Sequence, residues 1–284
     1  MTRKTAINFR VWSYDFQSDW KWIIENAKKL GYDALELPPF SPDARISEAL
    51  HDSGLVPIIA LGGTPEADVS STDSAIITKG RERIMGAVDL CSKLGGSLVI
   101  GPMYSFAGKL EYFASEHEKR EKQENLAGIF ADLALYADKQ RVRLALEPLC
   151  RYDNSIINTV EDGLALVNSA GRENLGLLLD TFHMNIEEKS ISEAIRAAGR
   201  AGSRKLFHLH ACENDRGVLG TGLIDWRKVS SALDAVGYNG YVSIESFAPE
   251  RPPSSSNFKI WRKLAQTQDE FAQRSIQFLK ANLA

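Results

Sequence analysis

The sequence predicts an α/β protein: one closed barrel of eight parallel strands, each followed by a helix, with its functional end at the strands' C-termini. Three observations lead there. Apolar runs of four or five residues recur along the chain, as expected of strands buried on both faces. Longer stretches with helical periodicity and glycine stops alternate with them. The length of 284 residues suits one large α/β barrel or two smaller domains, and no Ser/Gly/Pro linker is long enough to divide the chain, so a single (β/α)8 domain over 1–284 is expected. The rival, an open doubly wound sheet, would need a glycine-rich phosphate loop after the first strand, and Asn8-Phe9-Arg10-Val11-Trp12 has none.

Ala6-Ile7-Asn8-Phe9 reads as the first strand, and a helix over 19–30 stops at Gly31. Ala34-Leu35-Glu36-Leu37 is the second strand, closed by Pro38-Pro39, and a helix over 43–52 ends at Ser53-Gly54. Val56-Pro57-Ile58-Ile59-Ala60 is the third strand; a helix over 74–93 stops at Gly95-Gly96, and Ser97-Leu98-Val99-Ile100 is the fourth. Helices over 117–139, 160–168, 190–198 and 226–236 then lead to strands ending at Glu147, Asp180, His210 and Glu245. A last helix is expected from 258 onward, after the loop Arg251-Pro252-Pro253-Ser254-Ser255-Ser256. Thr221-Gly222-Leu223-Ile224-Asp225-Trp226 reads as a tight turn with Asp225 capping the next helix.

Charged residues make up 25% of the chain and the net charge is −3, which gives no case for nucleic acid or an anionic membrane as partner. No apolar run approaches the roughly 20 residues of a membrane span. The start, Met1-Thr2-Arg3-Lys4-Thr5, lacks the apolar segment of a signal peptide. Cys91, Cys150 and Cys212 have no close pairing and are read as free thiols of a cytoplasmic protein.

The chemistry lies at four strand ends. Arg143-Leu144-Ala145-Leu146 ends in Glu147, Leu177-Leu178-Leu179 in Asp180, Leu206-Phe207-His208-Leu209 in His210, and Tyr241-Val242-Ser243-Ile244 in Glu245. A carboxylate at the exit of a buried strand is costly unless something pairs with it. These are the fifth to eighth strands, whose C-termini open on one face of a closed barrel, and neighbouring strands lie about 4.8 Å apart, so the four side chains can converge on one ion. Three carboxylates and an imidazole favour Mn²⁺ or Mg²⁺, with Co²⁺ possible, over a structural zinc. Taken singly, each is equally well an ordinary polar residue at a strand end. His208 faces the same way as His210 but one layer deeper, and is read as a packed, hydrogen-bonded histidine rather than a ligand.

The stretch Asp180-Thr181-Phe182-His183-Met184-Asn185-Ile186-Glu187-Glu188 resembles the strand-six motif of the ketose 3-epimerases, the D-tagatose/D-psicose 3-epimerase group of the xylose-isomerase-like TIM-barrel superfamily. Glu147-Pro148-Leu149-Cys150-Arg151-Tyr152, His210-Ala211-Cys212-Glu213-Asn214-Asp215-Arg216, Ile244-Glu245-Ser246-Phe247 and Lys259-Ile260-Trp261-Arg262 match in type and order, so the likeness covers essentially the whole chain. The resemblance implies that Glu147, Asp180, His210 and Glu245 bind Mn²⁺ or Co²⁺ and that Glu147 and Glu245 double as the acid/base pair. It further implies that His183 and Arg216 hold the carbonyl-end oxygens of a small sugar, and that the chain forms a homodimer or homotetramer. Where the family usually has a substrate-contacting glutamate, this chain has Asp153, shorter by a methylene. Pro38-Pro39-Phe40 and Pro102-Met103-Tyr104-Ser105-Phe106 also depart from the family's wall segments. Trp12, Phe40, Tyr104 and Phe247 follow strand ends, where they either line the pocket or pack the barrel's upper rim; Trp12 and Phe247 are taken as substrate contacts.

The expected reaction removes the weakly acidic proton beside a ketone with one carboxylate and returns a proton on the opposite face from the other, inverting C3 through an enediolate. The same centre also suits a lyase of the C-glycoside deglycosidase type acting on 3-oxo-glycosides, or a hydroxypyruvate-type aldose–ketose isomerase. A sugar-binding protein without catalysis is the alternative from another class, and the intact Glu147/Glu245 pair argues against it. An endonuclease of this fold would want more metal-binding histidines and a basic groove.

Overall fold

Alternation along the strands sorts their side chains into two cores. The computed structural model describes residues 3–200, 204–248 and 259–283. Its strands are β1 (Lys4–Asn8), β2 (Ala34–Leu37), β3 (Val56–Ala60), β4 (Leu98–Gly101), β5 (Arg143–Leu146), β6 (Leu175–Asp180), β7 (Leu206–Ala211) and β8 (Tyr241–Ile244). They pair in parallel in sequence order, and β8 pairs with β1 to close the barrel. One set of positions, including Ala6, Ala34, Ile58, Ile100, Ala145 and Leu178, forms a small cluster of its own. The alternate set, including Ile7, Leu35, Ile59, Val99 and Leu144, joins the larger core with the helices. Glu36 shares the parity of Ala34, and Asn8 that of Ala6, so both point with the inner cluster.

The helices are α1 (Phe16–Leu30), α2 (Ala44–Ser53), α3 (Ser74–Lys93), α4 (Glu116–Lys139), α5 (Val160–Ala170), α6 (Thr181–Glu187), α7 (Ile191–Gly199), α8 (Trp226–Ala235) and α9 (Gln268–Asn282). Side-chain caps start them: Asp43 accepts from Ile46 N, Thr159 forms a capping box with Asp162, and Asp225 accepts from Lys228 N as expected. Among the described residues no helix is long and apolar enough to cross a membrane. All three cysteines are buried and free of disulfides.

Two local irregularities aim the strand ends. The register of β6 and β7 shifts so that Leu177 faces Leu206 while Leu178 faces His208. Phe207 is therefore an extra residue, and His208 and His210 stand opposite Leu178 and Asp180. At the end of β4, Gly101 has φ +119° and a Cβ there would lie 2.4 Å from Leu61 O. Only glycine permits that approach, and the Gly101 carbonyl accepts from Glu147 N at 3.2 Å.

Several boundaries differ from expectation. β1 ends at Asn8, whose side chain accepts from Arg10 N and turns Phe9–Val11 into a single 3-10 turn. α1 begins three residues early because Asp15 caps it. β4 starts at Leu98 and runs through Gly101. The motif after Asp180 forms α6, an extra helix, with the Asp180 side chain accepting from Phe182 N.

The largest correction is the last helix, which starts at Gln268. Residue 258 and the loop 251–256 lie outside the described residues. Residues 259–267 form turns and bends: Lys259 pairs with Asp153 at 2.6 Å and Arg262 with Asp215 at 2.8 Å, holding this segment against the loops after β5 and β7. Trp261 is accordingly 76% exposed, whereas Phe271 on α9 is buried. Thr267 accepts from Glu270 N and marks the true start. Thr267→Ala is expected to lower unfolding free energy by about 1 kcal/mol, seen as a lower urea midpoint at unchanged slope; an unchanged midpoint would mean the helix does not begin there.

Candidate active site and metal centre

The four strand-end residues meet. One ligand atom from each of Glu147, Asp180, His210 and Glu245 lies within 4.8 Å of the others. His210 Nδ1 is 3.6 Å from Glu147 Oε1, 3.8 Å from Asp180 Oδ2 and 3.4 Å from Glu245 Oε2. That nitrogen is buried and has no hydrogen-bond partner. A buried imidazole nitrogen without a partner, facing three carboxylate oxygens, is a donor set that fits a divalent cation.

Arg216 closes one side. Its backbone takes a left-handed φ of 61°, unusual for a non-glycine residue, held by Arg216 N donating to Glu213 O and by Ser246 Oγ donating to Arg216 O at 2.7 Å. The guanidinium donates to Asp180 Oδ2 at 2.7 Å and Glu245 Oε2 at 2.9 Å, and lies over the Phe182 and Phe247 rings. Phe247 is thus part of the site's wall.

His183 stands on α6. Its two ring nitrogens both meet donors: Nδ1 lies 3.1 Å from Cys150 N and Nε2 lies 3.3 Å from Arg216 Nη2, while Glu147 Oε1 is 4.0 Å from Nε2. Burial lowers the His183 pKa despite Asp180, favouring the neutral ring. Asp153 sits beside it, in a group with Cys150 and His183 whose donor atoms also lie within 4.8 Å. Burial pushes the Cys150 thiol up to about 11, so it stays protonated and makes a poor ligand.

The other aromatic residues each have a protein partner. Trp12 donates to Asp269 of α9 at 2.9 Å and packs edge-on against Trp22 of α1. These contacts anchor its indole to α1 and α9. Phe40 packs on Phe16, and Tyr104 is wholly buried with its hydroxyl donating to Ile157 O.

Sequence reasoning passed over Glu36. It is fully buried mid-strand in β2, with Oε1 2.7 Å from His208 Nε2 and both oxygens 3.2 Å from His210 Nε2. Asn8 Nδ2 donates to its Oε2 at 2.8 Å. The signal was available: a carboxylate at an inward position of an otherwise apolar strand demands partners. His208 occupies the deeper, hydrogen-bonded place expected of it.

The charges are sorted by environment. Burial pushes Glu147 up to about 7, against the pull of His210. Burial also acts on Asp180, but Arg216 outweighs it and holds that carboxyl well below its usual range. Glu245 is lowered too, because His210 and Arg216 overcome burial. His210 is raised despite burial by Glu36 and Glu245. Glu36 stays ionised, since His210 and His208 overcome its burial. At neutral pH, therefore, the metal-free centre carries protons on His210 and, in part, on Glu147. A cation must displace both. Mn²⁺ binding at pH 7 is expected to release more than one proton, and affinity should rise with pH, less steeply once Glu147 is ionised above about 7 because His210 still has a proton to lose. Calorimetry in buffers of differing ionisation heat measures this; binding without proton release between pH 6 and 8 would refute it.

Comparison with known proteins agrees with the geometry. The chain is 35% identical over 277 residues to the L-ribulose 3-epimerase of Methylomonas sp. (strain DH-1), covering 95% of this chain and 94% of that protein. It is 34% identical over 274 residues to the D-psicose 3-epimerase of Ruminiclostridium cellulolyticum, covering 94% and 92%. A crystal structure of D-allulose 3-epimerase from Methylomonas sp. in complex with D-allulose superposes with a TM-score of 0.91 at 34% identity, covering 99% of this chain and 97% of that one. The profile of the xylose isomerase-like TIM barrel family matches residues 24–281. With a closed eight-stranded barrel, full-length relatives that are epimerases and acidic strand ends that converge, the chain belongs to the xylose isomerase-like TIM barrel family, in its ketose 3-epimerase group.

Proposed function

We propose that the protein is a metal-dependent epimerase of free ketose sugars at C3. The observation that carries this reading is the convergence of Glu147, Asp180, His210 and Glu245 around one buried point, with two glutamates among them able to move a proton. A pair of carboxylates flanking one carbon is what two-base proton transfer needs: one takes the proton and the other returns one. Glu147, Asp180, His210 and Glu245 would hold the cation, Mn²⁺ before Co²⁺ or Mg²⁺. When bound, it supplies positive charge for the oxygens on which negative charge develops.

The remaining steps belong to the side chains. One of Glu147 and Glu245 takes the C3 proton from one face, and the other returns a proton to the opposite face. The roles exchange in the reverse direction. His183 and Arg216, side by side in the site, hold the carbonyl-end oxygens, and the Arg216 guanidinium stabilises the enediolate. Asp153, beside His183, and Phe247, beside Arg216, would contact the sugar. Nothing in this arrangement requires redox chemistry, because the same carbon loses and regains a proton. A cytoplasmic homodimer or homotetramer is the setting we assign, in keeping with the three free thiols.

A panel of ketohexoses and ketopentoses with added Mn²⁺, in deuterated solvent, tests the reading. Deuterium at C3 together with the C3 epimer is the expected result. No exchange with any ketose would favour a binder, and release of an aglycone from a 3-oxo-glycoside would favour a lyase.

A further inference from the structure

We infer that Glu36 is a positioning residue: it fixes the tautomer and orientation of His210 so that Nδ1 is presented to the cation. The inference rests on the metal centre proposed above. It starts from the geometry of one buried carboxylate. Glu36 lies on β2, on the far side of His210 from the three acidic ligands, and is completely buried. Both its oxygens reach His210 Nε2 at 3.2 Å, and Oε1 also reaches His208 Nε2 at 2.7 Å. An ionised carboxylate only accepts, so both imidazoles must carry a proton on Nε2. In the neutral ring of His210 that leaves the lone pair on Nδ1, the buried atom with no hydrogen-bond partner that faces Glu147, Asp180 and Glu245. A carboxylate behind a ligating imidazole also makes it a stronger donor.

Asn8 fixes Glu36 in turn. Its Oδ1 accepts from Arg10 N at 3.0 Å, which turns Nδ2 toward Glu36 Oε2 at 2.8 Å. The same Nδ2 is 3.5 Å from Glu245 Oε1. Every acceptor position on Glu36 therefore faces a donor: two imidazoles and one amide. Glutamine at this position would replace one acceptor with a donor, and in either orientation that donor would face another. The buried chain Asn8–Glu36–His210 thus ties the first two strands of the barrel to a ligand on the seventh.

The test measures Mn²⁺ binding directly on folded protein, by paramagnetic resonance of free Mn²⁺ and by calorimetry. Wild type is expected to bind one Mn²⁺ per chain, and Glu36→Gln to bind it about 10–100-fold more weakly. Glu36→Asp, which keeps the charge, should retain more affinity than Glu36→Gln; equal losses would reduce Glu36 to a packing role and overturn the inference. The visible spectrum of the Co²⁺-loaded protein should also change in Glu36→Gln, since the imidazole donor is altered. Should Glu36→Gln not fold, Asn8→Ser decides: weaker Mn²⁺ binding supports the chain of contacts, and unchanged binding overturns it. If wild type binds no ion, the metal reading itself fails; if wild type binds and Glu36→Gln matches it in affinity and spectrum, only the role of Glu36 fails.

Discussion

Glu245→Gln is expected to lower kcat by about 10²–10⁴-fold while leaving the barrel folded. Glutamine keeps the volume and the oxygen that meets Arg216 Nη1 at 2.9 Å, but it cannot take a proton. The informative part of the experiment is what survives. With Glu147 intact, one face of C3 still has a base. Glu147 can remove a proton from the epimer whose C3 hydrogen it faces and return one to the same face. Glu245→Gln should therefore catalyse deuterium exchange at C3 of one epimer without inverting it, and no exchange in the other. Glu147→Gln should show the opposite preference. Both measurements need Mn²⁺ at saturating concentration, since each residue is also a proposed ligand. Near-normal turnover in Glu245→Gln would remove that residue from the reaction, and exchange of both epimers in one variant would argue against two bases.

Exhaustive chelation should reduce turnover to background, and Mn²⁺ or Co²⁺ should restore it. The barrel should remain folded throughout. In the metal-free centre the ionised Asp180 and Glu245 face two cations, Arg216 and the raised His210, while Glu147 relieves part of the remaining charge by binding a proton. Arg216 at 2.7 Å from Asp180 is thus a counter-charge already built into the fold. Returning Mn²⁺ at about one hundred times its dissociation constant should then add about 2.7 kcal/mol of stability, visible as a rise in Tm. Full activity after chelation would sink the metal-dependent reading. Unfolding on chelation would show that Arg216 and His210 do not balance the site.

The amino-acid sequence by itself determined the barrel and the four strand ends. Runs such as Leu177-Leu178-Leu179-Asp180 combine a strand signal with its terminal side chain, and a closed parallel barrel brings all such ends to one face whatever the loops do. Local capping was legible for the same reason, because Asp225 acts on Lys228, three residues away. Tertiary structure alone decided the rest. The setting of the Trp12 ring depends on Trp22 and Asp269, the second of them 257 residues distant. The path of 259–262, ahead of the Thr267 cap, depends on Lys259 and Arg262 finding Asp153 and Asp215. Glu36 looked like one polar residue in an apolar strand until β7, bulged at Phe207, set two imidazoles against it. The physical reason is one of range: strand and helix periodicity are short-range properties of neighbouring residues, whereas the charge state and partners of a buried side chain are set by groups that only folding brings within a few ångströms.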